Sequence, residues 1–120
     1  MIIGIGIDII EIKRIKRTYE RQPKLADRIL TETELGYFHA LEHQKSLEFL
    51  AGRFAAKEAY AKATGTGIGG RLSWKDVQIL PNDSGKPVIE GGNPEWNAHV
   101  SISHSKEFAV AQVILESSSS

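Results

Sequence analysis

From Ile3 to Ile9 the chain alternates: Ile3, Ile5, Ile7 and Ile9 fall on one face and Gly4, Gly6 and Asp8 on the other, the period of a β-strand. The isoleucines read as the core face, which turns Asp8 away from the core. The glycines leave a bare face suited to close approach of another chain or a ligand. The period then lengthens. Ile12, Ile15 and Tyr19 share one side of a helix expected over Ile10–Glu20, Pro23 breaks it, and a short helical stretch follows from Lys24 to Leu30. Thr31 and Glu34 have the spacing of a capping box, so a further helix begins there and carries Leu35, Phe38 and Leu41 inward. Ser46 is placed to cap a longer helix running through Leu47, Leu50, Ala51, Phe54 and the alanines at 55, 56, 59, 61 and 63, with Gly65 placed to end it.

Beyond a glycine-rich connection from Gly65 to Gly70 the pattern turns to strands. Val77–Leu80 and Pro87–Ile89 flank a turn at Pro81–Gly85 and read as a hairpin, and His99–Ser103 and Phe108–Leu115 complete the set. An N-terminal strand, a helical block and then antiparallel strands make an α+β domain. A chain of 120 residues accommodates one hydrophobic core. A single domain over residues 1–116 is expected, with Ser117–Ser120 as a disordered tail.

Composition narrows the function. Hydrophobic residues at 41% and charged residues at 25% are the usage of an ordinary folded chain, and the formal net charge of zero argues against a protein-wide attraction to nucleic acid or an anionic membrane. The lack of cysteine excludes disulfides, a thiol nucleophile and a thiolate metal site, so any metal would be a hard cation held by oxygen or imidazole. The N-terminal segment has no basic leader, and no run approaches the roughly 20 apolar residues of a membrane span. A cytoplasmic location is expected. Charge is nevertheless uneven: seven of the sixteen residues from Lys13 to Arg28 are basic, against Glu20 and Asp27. Arg14, Arg17, Arg21, Lys24 and Arg28 would form a stripe if Pro23 did not interrupt the helix, and such a patch suits an acidic partner. Nucleic acid fits less well, because Tyr19 is the only aromatic residue there to stack on a base.

Candidate chemistry centres on Phe54, Glu58 and Lys62, which recur every four residues along one helical face. Alone, a Glu-to-Lys pair at that spacing is an ordinary surface pair that contributes about 0.3–0.5 kcal/mol. Asp8 changes the weighing, since a strand carboxylate can join a helix carboxylate around Mg2+ and leave the remaining octahedral positions to water and phosphate oxygens. Asp8 could equally cap the helix that follows it. The Gly65–Gly70 segment follows a helix, whereas phosphate loops precede one, so it reads as a connection. His39 and His43 read as a solvated pair, no serine-nucleophile triad is evident, and His104, at a strand end among Ser101, Ser103 and Ser105, could contact phosphate.

Three segments together, Gly6-Ile7-Asp8, Phe54-Ala55-Ala56-Lys57-Glu58-Ala59-Tyr60-Ala61-Lys62 and His99-Val100-Ser101-Ile102-Ser103-His104-Ser105, resemble the holo-acyl-carrier-protein synthase family, the short bacterial type of 4'-phosphopantetheinyl transferase. The likeness runs from Ile2 to about Glu116 and includes Arg53 and Gly85-Lys86-Pro87. It implies a small homotrimer with active sites at subunit interfaces. The implied activity is Mg2+-dependent transfer of 4'-phosphopantetheine from coenzyme A to a serine of apo acyl carrier protein, releasing adenosine 3',5'-bisphosphate in support of fatty acid biosynthesis. By the same resemblance Asp8 and Glu58 hold Mg2+ against the pyrophosphate and Lys62 supports phosphate charge. Arg53, Gly85, Lys86, Pro87 and His104 contact coenzyme A, and Arg14, Arg21, Lys24 and Arg28 dock the carrier. Glu58 and a metal-bound water are alternative bases for the serine proton. A non-catalytic module that holds an acidic protein or RNA, and a Mg2+-dependent phosphohydrolase, remain as other readings of the same residues.

Overall fold

The computed structural model describes residues 1–69 and 72–118. In chain order these form β1 (Ile2–Glu11), α1 (Ile12–Arg21), α2 (Leu25–Ile29), α3 (Glu32–Ala40), α4 (His43–Thr64), a single 3-10 turn (Trp74–Asp76), β2 (Val77–Pro81), β3 (Pro87–Gly91), β4 (Trp96–His104) and β5 (Phe108–Ser117). Strands β1, β5 and β4 make one antiparallel sheet in that order, and β2 pairs only with β3 in a separate hairpin. The N-terminal strand, helical block and antiparallel strands expected of the α+β class are all present.

Helix α4 lies across the sheet, and its buried alanines 55, 56, 59 and 63 form the middle of the core with Ile10, Ala109, Ala111, Val113 and Leu115. Small residues on the helix let it sit low on the strands, which increases the number of close atom pairs per residue. Gly65 ends α4 in the left-handed conformation, φ 83°, and its N–H donates to the carbonyls of Ala61 and Lys62. The Thr31–Glu34 capping box starts α3 as the spacing required.

Several expectations need correction. The isoleucine face of β1 is the outward one: Ile3, Ile5, Ile7 and Ile9 are 43–63% exposed, whereas Gly4, Gly6, Asp8 and Ile10 face α4. Alternation defines two faces without saying which is covered, and here the helix backbone comes so close that only glycine fits beneath it. Strand β1 continues to Glu11, so α1 starts at Ile12 rather than at Ile10. Helix α4 starts at His43, and Ser46 is buried within its first turn with Oγ bonded back to the His43 carbonyl, so it is not the cap. Leu41 lies past the end of α3 and is exposed. The C-terminal tail is ordered further than expected. Ser117 is in β5 with its N–H donating to Met1 O at 2.9 Å, and the Ser118 N–H and hydroxyl both donate to Glu95 O, at 3.0 and 2.7 Å. Ser119 and Ser120, like Gly70 in the glycine-rich connection, lie outside the described residues.

A buried ion pair joins the helices to the hairpin. Lys57 Nζ donates to Glu34 Oε1 at 2.7 Å, to Ile29 O at 2.8 Å and to Trp74 O at 2.9 Å, and both side chains are fully buried. Burial pushes the Lys57 pKa down, and its bond to Glu34 opposes that. Glu34 Oε2 accepts the Ile79 N–H at 2.8 Å, and Arg53 Nε donates to Ile79 O at 3.1 Å. Both polar groups of Ile79 are therefore satisfied by side chains, which closes an edge of β2 that would otherwise expose unpaired backbone. Among the described residues no buried side-chain nitrogen or oxygen lacks a partner.

Candidate active site

The site is built where β1 crosses α4. A β-carbon on Gly4 would fall 2.1 Å from the carbonyl oxygen of Ala63, and one on Gly6 would fall 1.9 Å from that of Ala59, so the strand rides directly on the helix backbone. Asp8, the next residue on that face, is thereby delivered to the helix surface that carries Glu58 and Lys62. Lys62 Nζ donates to Asp8 Oδ1 and to Ile7 O, both at 3.0 Å. The Glu58 carboxyl is held above the usual carboxylate range by burial first and then by the charge of Asp8, with Lys62 opposing. Two carboxylates and one ammonium thus share one partly open spot, and Asp8 does not cap α1, whose N-cap residue is Glu11.

This trio suits a cation that takes oxygen ligands. Its carboxylates repel each other, a cost that a divalent ion between them removes, and among the described residues no third histidine, aspartate or glutamate joins them. Any further ligand positions would fall to water or to substrate oxygens, the usual habit of Mg2+.

The other expected contacts lie elsewhere on the chain. His104 occupies the end of β4, two strands and one inward-facing row away from Asp8, so strand spacing alone separates them by roughly 10 Å. Its Nδ1 is 3.9 Å from Glu48 Oε2, at an open cleft of about 770 Å³ bordered by Lys13, Lys16, Gln44 and Ser105. Gly85, Lys86 and Pro87 form the hairpin end, with Gly85 and Lys86 exposed. Arg53 is committed through Nε to the hairpin backbone, its guanidinium lies 4.0 Å from the Phe49 ring centre, and burial lowers its pKa to about 10 despite Glu34. Arg14, Arg17 and Arg21 are exposed on α1, while Lys24 and Arg28 are exposed at α2 beyond the break at Pro23. His39 and His43 are exposed on different helices.

The parts that sequence reasoning missed are Glu34 and Lys57. Lys57 sits inside the quoted nine-residue motif, but its helical neighbours Phe54, Tyr60 and Ala61 are apolar or small, and that environment was the available sign that its face turns inward.

Fold and site together define a small α+β protein in which a glycine-bearing strand and an alanine-rich helix bring two carboxylates together beside a lysine. Residues 4–113 match the family model of the 4'-phosphopantetheinyl transferase superfamily, and the chain belongs to that family. It is 55% identical over 116 residues to a holo-[acyl-carrier-protein] synthase of Geobacillus sp. (strain WCH70), covering 97% of this chain and 98% of the relative. It is 57% identical over 119 residues to the protein of the same name from Bacillus mycoides, with 99% of each covered. The crystal structure of a holo-(acyl-carrier-protein) synthase from Bacillus anthracis str. Ames in complex with CoA (3',5'-ADP) superposes with a TM-score of 0.93 at 54% identity, covering 98% of this chain and 99% of that one. That of the Helicobacter pylori synthase in complex with coenzyme A superposes with a TM-score of 0.83 at 33% identity, covering 93% and 99%.

Proposed function

We propose that this protein transfers 4'-phosphopantetheine from coenzyme A to a serine of an apo acyl carrier protein, in support of fatty acid biosynthesis. The observation that carries the reading is the convergence of Asp8, Glu58 and Lys62 at the β1–α4 crossing, within a fold whose relatives are named for this activity. Asp8 and Glu58 would hold Mg2+, which would supply charge stabilisation to the pyrophosphate oxygens. Lys62 carries an ammonium at the same place and would offset negative charge that gathers as the reaction proceeds.

In the transfer, the serine oxygen forms a bond to the β-phosphorus of coenzyme A and the bond from that phosphorus to the bridging oxygen of adenosine 3',5'-bisphosphate breaks. The serine proton goes to a base, for which Glu58 and a water on the metal that Asp8 and Glu58 would hold are the two candidates. The exposed arginines of α1, with Lys24 and Arg28, would attract the acidic carrier and speed encounter.

Assembly as a homotrimer belongs to the same reading. The outward row Ile3, Ile5, Ile7 and Ile9, flanked on β5 by the half-buried Val110 and Ile114 with Gln112 between them, is a largely aliphatic sheet face of the kind that soluble chains cover by association. The distance from Asp8 to His104 supports a site shared between copies, in which Lys86, Arg53 and His104 would meet the adenosine phosphates. The cytoplasm is the proposed compartment; among the described residues no helix is long and apolar enough to cross a membrane.

The test is the intact mass of an apo acyl carrier protein after incubation with this protein, coenzyme A and Mg2+. A gain of one phosphopantetheine that vanishes with chelator is expected. No gain, with carrier binding retained, would replace this reading by that of a binding module.

A further inference from the structure

The Lys62 side chain is 54% exposed, against 16% for Asp8, its ion-pair partner. Its ammonium nevertheless turns back to the strand, where it bonds both Asp8 Oδ1 and the Ile7 carbonyl. Holding a long side chain in one geometry costs rotamer entropy, so the contact points to a demand for positive charge at that place. What calls for it is the pair of carboxylates, Asp8 and Glu58, which lie close enough for their charges to interact with each other and with the lysine beside them. The ammonium therefore occupies Asp8 Oδ1, one of the carboxylate oxygens that an incoming cation would use.

We infer that Lys62 is a resident cation: it holds Asp8 while the site is empty, and must leave that oxygen when a divalent metal binds, which frees it to meet the phosphate. The inference rests on the metal and pyrophosphate reading above and says how that site loads. Metal alone must displace the lysine, and coenzyme A alone must draw it away from Asp8. When both are present the lysine is displaced only once, so each ligand tightens the other by the same factor. Ordered loading then needs no moving loop, because a single side chain exchanges one anionic partner for another.

The experiment measures Mn2+ binding to the full-length protein by the electron paramagnetic resonance of the free ion, with and without coenzyme A, for the wild type and for Lys62→Met. Relief of one partly exposed ion pair predicts that the variant binds Mn2+ alone roughly two- to fivefold more tightly. The factor by which coenzyme A tightens Mn2+ binding should shrink by a similar amount. Unchanged or weaker Mn2+ binding by the variant would overturn the inference while leaving the metal site standing. A gain that is equal with and without coenzyme A would also overturn it, since that is the effect of simply deleting a nearby charge. Lack of saturable Mn2+ binding by either protein would overturn the metal reading itself, and the inference with it. In the wild type, the 1H–15N signal of the Lys62 ammonium gives an independent readout. It should change when Mg2+ and coenzyme A are added together, and its persistence unaltered would count against displacement.

Discussion

Replacing Gly6 with alanine adds one methyl group, yet the structure gives it a disproportionate cost. Within a strand this exchange ordinarily helps by about 0.5–1 kcal/mol, because glycine loses more backbone freedom on folding. Here the new carbon would lie 1.9 Å from Ala59 O, 2.8 Å from Ala63 N and 2.9 Å from Ala59 C. Ordinary contact begins near 3.4 Å, so strand and helix must part by about 1.5 Å, the difference between that distance and 1.9 Å. All three obstacles are helix backbone, which cannot rotate aside as a side chain would. Overpacking of a core costs about 1–3 kcal/mol when neighbours can adjust, and this rigid case should reach or exceed the upper figure. The same displacement carries Asp8 away from Glu58 and Lys62, and misplacement of catalytic groups by about 1 Å costs on the order of a hundredfold in rate. Urea unfolding should show Gly6→Ala destabilised by at least about 3 kcal/mol. Transfer to carrier protein, assayed where circular dichroism shows the variant folded, should fall about a hundredfold. A variant with wild-type stability and rate would refute the account of how β1 and α4 build the site.

Other consequences are open to direct measurement. Asp8→Ala and Glu58→Ala should each lower transfer by about a thousandfold or more while leaving the circular dichroism spectrum unchanged, and full activity in either would sink the site assignment. Lys57→Met strands the Glu34 carboxylate in the interior and should cost about 3–5 kcal/mol by chemical denaturation; a cost below 1 kcal/mol would mean that water reaches Glu34. Ile5→Glu places a charge on the exposed aliphatic face, and light scattering should show the proposed trimer replaced by single chains; an unchanged mass would put the interface elsewhere. Reversing Arg14 and Arg21 to glutamate should raise KM for the carrier about tenfold at low salt with kcat little changed, the gap narrowing as salt is added; a KM indifferent to both changes would remove α1 from the docking surface.

Much of this was readable before the structure. The helical spacing of Phe54, Glu58 and Lys62, the strand placement of Asp8, the Thr31–Glu34 box and the β2–β3 hairpin all follow from local rules, and the α+β architecture follows from their order. The inside of β1 was not readable from its alternation, because the covered face is set by a partner distant in sequence. The bulky residues lie outward and glycine inward, which reverses the usual guess, although the alanine-rich stretch of α4 was a sign that something packs on it closely. Glu34 and Lys57 were hidden for a different reason. Charged residues are rarely fully buried, and only the third dimension brings a residue of α3 to one of α4 with the Ile29 and Trp74 carbonyls beside them. The proposed meeting of His104 and Lys86 at a common ligand has no local signature, since it would depend on how copies of the chain associate.

The atom that bars a side chain at position 6 is a main-chain oxygen, which every residue at position 59 would carry. Most tight contacts can evolve by exchange, a larger group on one element being offset by a smaller one on its neighbour, and such pairs drift together through a lineage. That route is closed here, because even glycine in place of Ala59 leaves the obstructing carbonyl where it is. A selection for second-site suppressors of Gly6→Ala should therefore return mostly true revertants and almost nothing at positions 59 or 63. Position 6 has to be inherited on its own, without a covarying partner to record the contact it makes.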